Sequence, residues 1–183
     1  INPDDPNELD NNNYKARPLT ILLTPPPDLV VTSVIPTAET EAGQPFNVQW
    51  TVENQSTSTT VEETWNDVIY LSDKPDLDDP TAKIWTLGVF EHQGKLNQGE
   101  SYTVEQTINL SPGAEGQYII VATNPKFIIN QGTNRNSAWE GSYDDNNLKV
   151  ESTQVTSVSA DLVVTSINVP SENFSGEKTT LEW

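Results

Sequence analysis

Apolar and polar residues alternate along much of this chain, and Gly, Pro, Asn, Asp and Ser interrupt the alternation about every ten residues. "PFNVQWTVEN" (45–54) is the clearest case. Phe46, Val48, Trp50 and Val52 fall on one face, and Asn47, Gln49 and Thr51 on the other, as in a half-buried strand. "ESYTVEQTINL" (100–110) repeats the pattern with Tyr102, Val104, Ile108 and Leu110. Five further runs read as strands: "DLVVTSVI" (28–35), "TWNDVIYLSD" (64–73), "KIWTLGVF" (83–90), "GQYIIVAT" (116–123) and "NNLKVESTQV" (146–155). No convincing amphipathic helix interrupts them.

Seven strands within about 130 residues, separated by turn chemistry, predict an all-β fold. The expected form is an antiparallel seven-stranded immunoglobulin-like β-sandwich, repeated in tandem. In "LSPGAEGQY" (110–118) a Pro-Gly turn precedes a Tyr at a strand start. That placement predicts a tyrosine corner, with Tyr118 hydrogen-bonding back to the turn.

The repetition is visible in the residues. "DLVVTS" stands at 28–33 and again at 161–166, 133 residues later. Carried on without gaps, 27–50 lies over 160–183 with 9 of 24 positions identical, including Gly43/Gly176 and Trp50/Trp183. Chance would match about one or two. Upstream, "LDNNNYKA" (9–16) lies over "YDDNNLKV" (143–150). The expected organisation is a tail of one repeat over 1–26, a complete sandwich over 27–155, and the first strands of another repeat over 156–183.

Composition narrows the chemistry. Nine Lys+Arg against 27 Asp+Glu leave a formal net charge of −18, which opposes binding to nucleic acid or anionic membranes. No Cys is present, so neither a disulfide nor a thiolate metal site exists. The single His, His92, removes the usual ligand sets for zinc, copper and haem, and it reads as a surface residue. No apolar run is long enough to insert into a membrane. With 27 acids, some carboxylate pair at glycosidase spacing is inevitable and means nothing by itself.

In the order and spacing of its motifs the chain resembles the cell-adhesion-related domain of bacteria, CARDB. The residues concerned are "DLVVTSV", "GQPFNVQWTVEN" (43–54), "VIYLSDKPDLDDP" (68–80), "LNQGESYT" (96–103), "GQYIIVAT" and "YDDNN" (143–147). The resemblance implies tandem sandwiches, secreted or on the cell surface, with adhesive or scaffolding roles and no catalytic residues. The loop 124–147 departs from it by its length.

Two acidic clusters are candidate calcium sites. Asp73, Asp76, Asp78 and Asp79 crowd one turn, and Ca²⁺ takes six to eight such oxygens. The EF-hand Gly and terminal Glu are missing, so a solvated turn is the equal alternative. Asp144, Asp145 and Asn146, with Glu140 nearby, form the second cluster. Its Asp-Asn-Asn recurs before residue 16 and serves equally well as turn chemistry. The two clusters are expected at opposite poles of a module, so that calcium would stiffen the joint between successive repeats. Phe127 and Trp139 in the long loop are candidate ligand-binding aromatics. A binding module should expose them, and a spacer should bury them.

The sequence therefore points to a non-enzymatic structural or adhesive module of a long extracellular bacterial repeat protein or fibre. Its expected partners are neighbouring copies and extracellular polysaccharide. The alternative is a carbohydrate- or protein-binding module appended to a secreted hydrolase.

Overall fold

The computed structural model describes residues 17–22, 24–135, 137–158 and 161–183. The match at 9–16 and most of the proposed tail over 1–26 lie outside them. The elements are β1 (Leu29–Pro36), β2 (Glu39–Glu41), β3 (Pro45–Asn54), β4 (Thr64–Ser72), β5 (Ile84–Gln93), β6 (Ser101–Asn109), β7 (Gly116–Thr123), β8 (Phe127–Ile128), β9 (Gly132–Thr133) and β10 (Leu148–Thr156). The seven segments expected as strands are β1, β3 to β7 and β10. Among the described residues there is no helix, and so none long and apolar enough to cross a membrane.

One sheet has the order β1-β3-β6, a second has β2-β10-β7-β4-β5, and β8-β9 is a separate hairpin. Every pairing is antiparallel except one. Between Pro36 and Glu39 the chain crosses from the first sheet to the second, where β2 runs parallel to β10 from Gln154↔Glu39 to Thr156↔Glu41. The sheet is therefore mixed, which period-two alternation could not foretell because it carries no strand direction.

The main core lies between the two larger sheets. Phe46, Val48, Trp50 and Val52 of β3 meet Trp65, Ile69 and Leu71 of β4 and Ile119 and Val121 of β7. Two bulges adjust which side chains face inward. A register shift between Val31 and Ser33 lets Val31 and Val34, an odd number of positions apart, both join this core. Another, where Ile69 and Tyr70 of β4 face Gly88 and Thr86 of β5, lets Leu87 and Phe90, also an odd number of positions apart, both pack on this core.

The outer face of the five-stranded sheet carries a second cluster: Val68, Tyr70, Ile120 and Ala122, covered by Ile128 of β8. The hairpin is pinned there. Thr86 Oγ1 donates to the Ile129 carbonyl at 2.9 Å, and the Ile129 amide donates to the Tyr70 hydroxyl at 3.3 Å. Tyr118 belongs to this outer cluster, not to a tyrosine corner. Alternation along β7 sends Ile119 and Val121 inward and Tyr118 outward, away from the 110–115 turn that a corner needs.

The strands define two poles. At the proximal pole β1, β4, β6 and β10 begin and β3, β5 and β7 end. At the distal pole lie the turns 73–83 and 110–115 and the end of β10.

Residues 161–183 make one isolated antiparallel bridge, Asn168↔Glu182. Ile35↔Gln49 of the β1–β3 pair stands 133 residues earlier. Gly176 and Gly43 both have positive φ, at 94° and 83°, in the turn between the paired segments. The Glu177 amide reaches the Phe174 carbonyl, as Gln44 reaches Glu41. The environments differ: Leu29 and Trp50 are fully buried, whereas Leu162 and Trp183 are 93% and 85% exposed.

Trp50 is among the largest fully buried side chains. Trp50→Ala should cost about 3–5 kcal/mol by cavity formation, read from the urea unfolding midpoint. A loss under about 1 kcal/mol would contradict the core just described.

Candidate functional site

The acidic turn between β4 and β5 is closed by its own carboxylates. Asp73 Oδ1 accepts the Lys83 amide at 2.8 Å, and Asp76 Oδ1 accepts the Asp78 amide at 2.9 Å. Asp79 Oδ1 accepts both the amide and the hydroxyl of Thr81, at 2.8 and 2.7 Å. Lys74 Nζ lies 2.9 Å from Asp79 Oδ2. The Lys74 hydrogen bond, with help from Thr81, holds the Asp79 carboxyl down at about 2. These are the side-chain-to-backbone bonds by which Asp builds turns.

The second cluster divides into separate roles. Asp144 pairs with Lys126. Asn146 Nδ2 donates to Asp28 Oδ1 at 3.0 Å, and Asp145 is exposed. The buried member is Glu140. Its Oε1 accepts the Leu29 amide at 2.5 Å, and its Oε2 accepts from Asn124 and, at 2.6 Å, from Asn147. Asn124 in turn exchanges hydrogen bonds with the backbone of Ala138 in both directions. Glu140 thus ties the end of the long loop to the first residue of β1. Burial raises its carboxyl pKa against the pull of these donors. Among the described residues, no three acidic or His side chains gather into a metal-sized group.

Phe127 and Trp139 are each 60% exposed. The structure does not bring them together. Phe127 edges a hollow of about 300 Å³ on the sheet face with Tyr70, Leu77 and Leu148. Trp139 lines another, of about 180 Å³, at the proximal pole with Lys126, Gly141 and Asp144.

A third cluster escaped the sequence reading. Asp67 of β4 is 1% exposed and sits between the two sheets. Trp50 Nε1 donates to its Oδ2 at 2.6 Å, and Thr123 Oγ1 donates to its Oδ1 at 2.7 Å. The Tyr102 hydroxyl lies 3.0 and 2.9 Å from the two oxygens and accepts Trp65 Nε1 at 2.9 Å. His92 is half-buried, stacked between Trp65 and Tyr102 with centroids 4.1 and 4.0 Å away. It is not the free surface residue its isolation in the sequence suggested. Its Nε2 meets the Gly94 carbonyl at 3.0 Å, and burial lowers its pKa. A hollow of about 350 Å³ between the edge strands β5 and β6 reaches this group. A signal existed: Asp67 shares the phase of Trp65, Ile69 and Leu71, a carboxylate at a core position of an otherwise apolar face. Each Asp67 oxygen accepts a donor, and the donors come from both sheets, so the group clamps them together.

No family model matches the chain, and no curated protein matches it. Solved structures do. The chain is similar to the crystal structure of the CARDB domain of the PF1109 protein from Pyrococcus furiosus, which was determined in complex with di-metal ions. Identity is 15%, over 75% of this chain and 100% of that one, with a TM-score of 0.41. The solution NMR structure of that domain gives 17% identity, over 73% and 98%, with a TM-score of 0.42. The sporulation control protein Spo0M from Bacillus subtilis gives 11%, over 73% and 50%, with a TM-score of 0.42.

Asp67 makes stability depend on pH. Burial pushes its carboxyl from 3.8 up to about 6, against the Trp50, Thr123 and Tyr102 donors. Between these values the native state holds a proton that the unfolded chain has lost. Its contribution therefore rises as pH falls through that window and is lost as pH climbs past 6. At 1.36 kcal/mol per pH unit the full swing is about 3 kcal/mol. Asp67→Asn should remove it. The stability difference between wild type and Asp67→Asn, from urea titrations at pH 7 and pH 4, should change by about that amount in favour of wild type at pH 4. The difference cancels His92 and Glu140, which titrate in both proteins. Asp67→Ala, which strands the Trp50 N–H, should cost about 2–4 kcal/mol at pH 7.

Proposed function

We propose that this chain is a non-enzymatic structural and adhesive module, an immunoglobulin-like sandwich repeated in tandem in an extracellular array. The observation that carries the reading is the agreement between sequence and backbone at an offset of 133 residues. The Asn168↔Glu182 bridge falls on the Ile35↔Gln49 pair, and the glycine turns agree in sign of φ and in hydrogen bond. The exposed Leu162, Val164, Ile167, Leu181 and Trp183 occupy the positions of Leu29, Val31, Val34, Val48 and Trp50, all core residues of the complete sandwich. A two-stranded segment with a bare apolar face is at best marginally stable in water. Segment 161–183 thus has the character of the opening strands of a second sandwich. The saturated Asp67 clamp supports a scaffold, because its ionisable group is used to join sheets.

Calcium belongs to the same proposal as a property of the joint. Asp73 lines the distal pole beside Glu115 and Thr156, and Asp144 and Asp145 line the proximal one beside Asn124 and Lys126. In an array those acids would approach each other between successive modules, and there repulsion would favour a bridging cation. The exposure of Phe127 and Trp139 is the outcome expected of the alternative, a binding module, and not of a spacer, although the two line separate hollows.

The test extends the chain beyond Trp183 with a copy of residues 51–158, which would complete a sandwich on 161–183. Hydrogen exchange at 162–169 should slow to the rate seen in β1, and calorimetry should gain a second module's worth of unfolding enthalpy. Unchanged fast exchange over 162–169 would reject the repeat. At fixed, high ionic strength Ca²⁺ should raise the melting temperature of the extended chain more than that of the original. An equal response with and without chelator in both would remove calcium from the proposal.

A further inference from the structure

We infer that Trp139 is the proximal half of the joint between successive modules, where its ring docks on the distal pole of the preceding copy around Pro112 and Val158. The inference rests on the repeat reading above and goes further by naming the surface and its occupant.

Connector length comes first. The last backbone anchor of the module is the Val158 amide, bonded to the Pro112 carbonyl at 3.1 Å. The first anchor of a module is Asp28, held by Asn54 through its amide and by Asn146 through its carboxylate, at 3.1 and 3.0 Å. Asp161 is the counterpart of Asp28, so only residues 159 and 160 separate the two anchors. Three Cα steps span at most about 11 Å. The two layers of a sandwich are themselves about 10 Å apart before their outer side chains are counted. A tether that short cannot hold two poles clear of each other, so the distal pole of one module must touch the proximal pole of the next.

Chemistry then selects the contact. At the proximal pole the incoming chain already leans on the Trp139 segment. Pro27 is buried, and Pro26 packs so closely on Gly141 that a Cβ there would lie 2.9 Å from its ring and 3.6 Å from the Trp139 ring. Gly141 also has φ of 65°, a conformation that favours glycine. Trp139 therefore stands beside the point where the chain enters, with most of its ring bare. At the distal pole the chain leaves beside Pro112 and Val158, both exposed. Around them are Asp73, Lys83 and Glu115, which are polar and partly paired with one another. The apolar partner for an exposed indole at that pole is the Pro112–Val158 patch. A Trp ring over proline and valine covers apolar surface on both sides while leaving the surrounding charges in water.

The experiment compares the chain with the extended chain described above. Trp139→Ala in the original chain should leave its melting temperature essentially unchanged, since the ring is exposed there. The same substitution in the copied module should lower that module's melting temperature by a few degrees. It should also lengthen the maximum dimension in small-angle X-ray scattering, as the joint loosens. Val158→Asp, on the opposite side of the joint, should give the same loss, and the two together no more than either alone. Equal losses in the original and extended chains would overturn the inference by making Trp139 a residue of its own module. No loss in either would overturn it as well. An unchanged joint with abolished polysaccharide binding would reassign the ring to a sugar platform. Failure of the copied module to fold, with fast exchange over 162–169, would reject the repeat itself and this inference with it.

Discussion

The two large sheets share one buried carboxylate, and the geometry of the core follows from it. Apolar packing between sheets is favourable but poorly directional. Asp67 supplies direction because a buried charge or acid is tolerated only when its oxygens are matched by donors. Those donors come from Trp50 of β3 and Tyr102 of β6 in one sheet and Thr123 of β7 in the other. Slipping one sheet against the other by a residue would strand at least one of them. Trp50 and Tyr102 meet on that side chain, and Tyr102 in turn accepts the Trp65 N–H and stacks against His92.

Around this clamp the fold handles its remaining exposed faces in two ways. The outer face of the five-stranded sheet holds large apolar residues, and the β8–β9 hairpin folds back over it so that Ile128 is buried. The long loop thus spends its first half as a cover. Its second half is a polar lock at the proximal pole, where Glu140 gathers Asn124, Asn147 and the Leu29 amide. The Asp-Asn-Asn of 145–147 has a structural role here: Asn147 holds Glu140 and Asn146 holds Asp28, which secures the start of the first strand.

An array built from such modules would have short joints by necessity. With two residues between the anchors, stiffness would come from contact between poles more than from the linker's composition. The high negative charge acts against that contact and in favour of solubility. In such an array the apolar residues at each pole and the acids around them would pull in opposite directions, and the joint would respond to ionic conditions.

Local chemistry made the seven main strands legible. Alternation in β3 and β6 marks the inward face residue by residue, and Trp50 reaches the core its phase demands. The identity between 27–50 and 160–183 at a fixed offset was likewise readable without any structure. What the residues could not disclose is everything that depends on partners distant along the chain. The parallel β2–β10 pairing and the bulges at Val31 and Ser152 arise from how sheets close on each other, and no local pattern encodes strand direction. Composition could not reveal that in the Asp73–Asp79 turn one oxygen each of Asp73 and Asp76 accepts a backbone amide while Asp79 holds Thr81 and Lys74. Phe127 and Trp139 lie twelve residues apart in one loop, yet the loop's path over the sheet carries them to different hollows. Asp67 is the sharpest case. Its position on an apolar face was readable, but its role needed Trp50, Tyr102 and Thr123 to arrive from three other strands, and only the packed sandwich brings them within reach of one carboxylate.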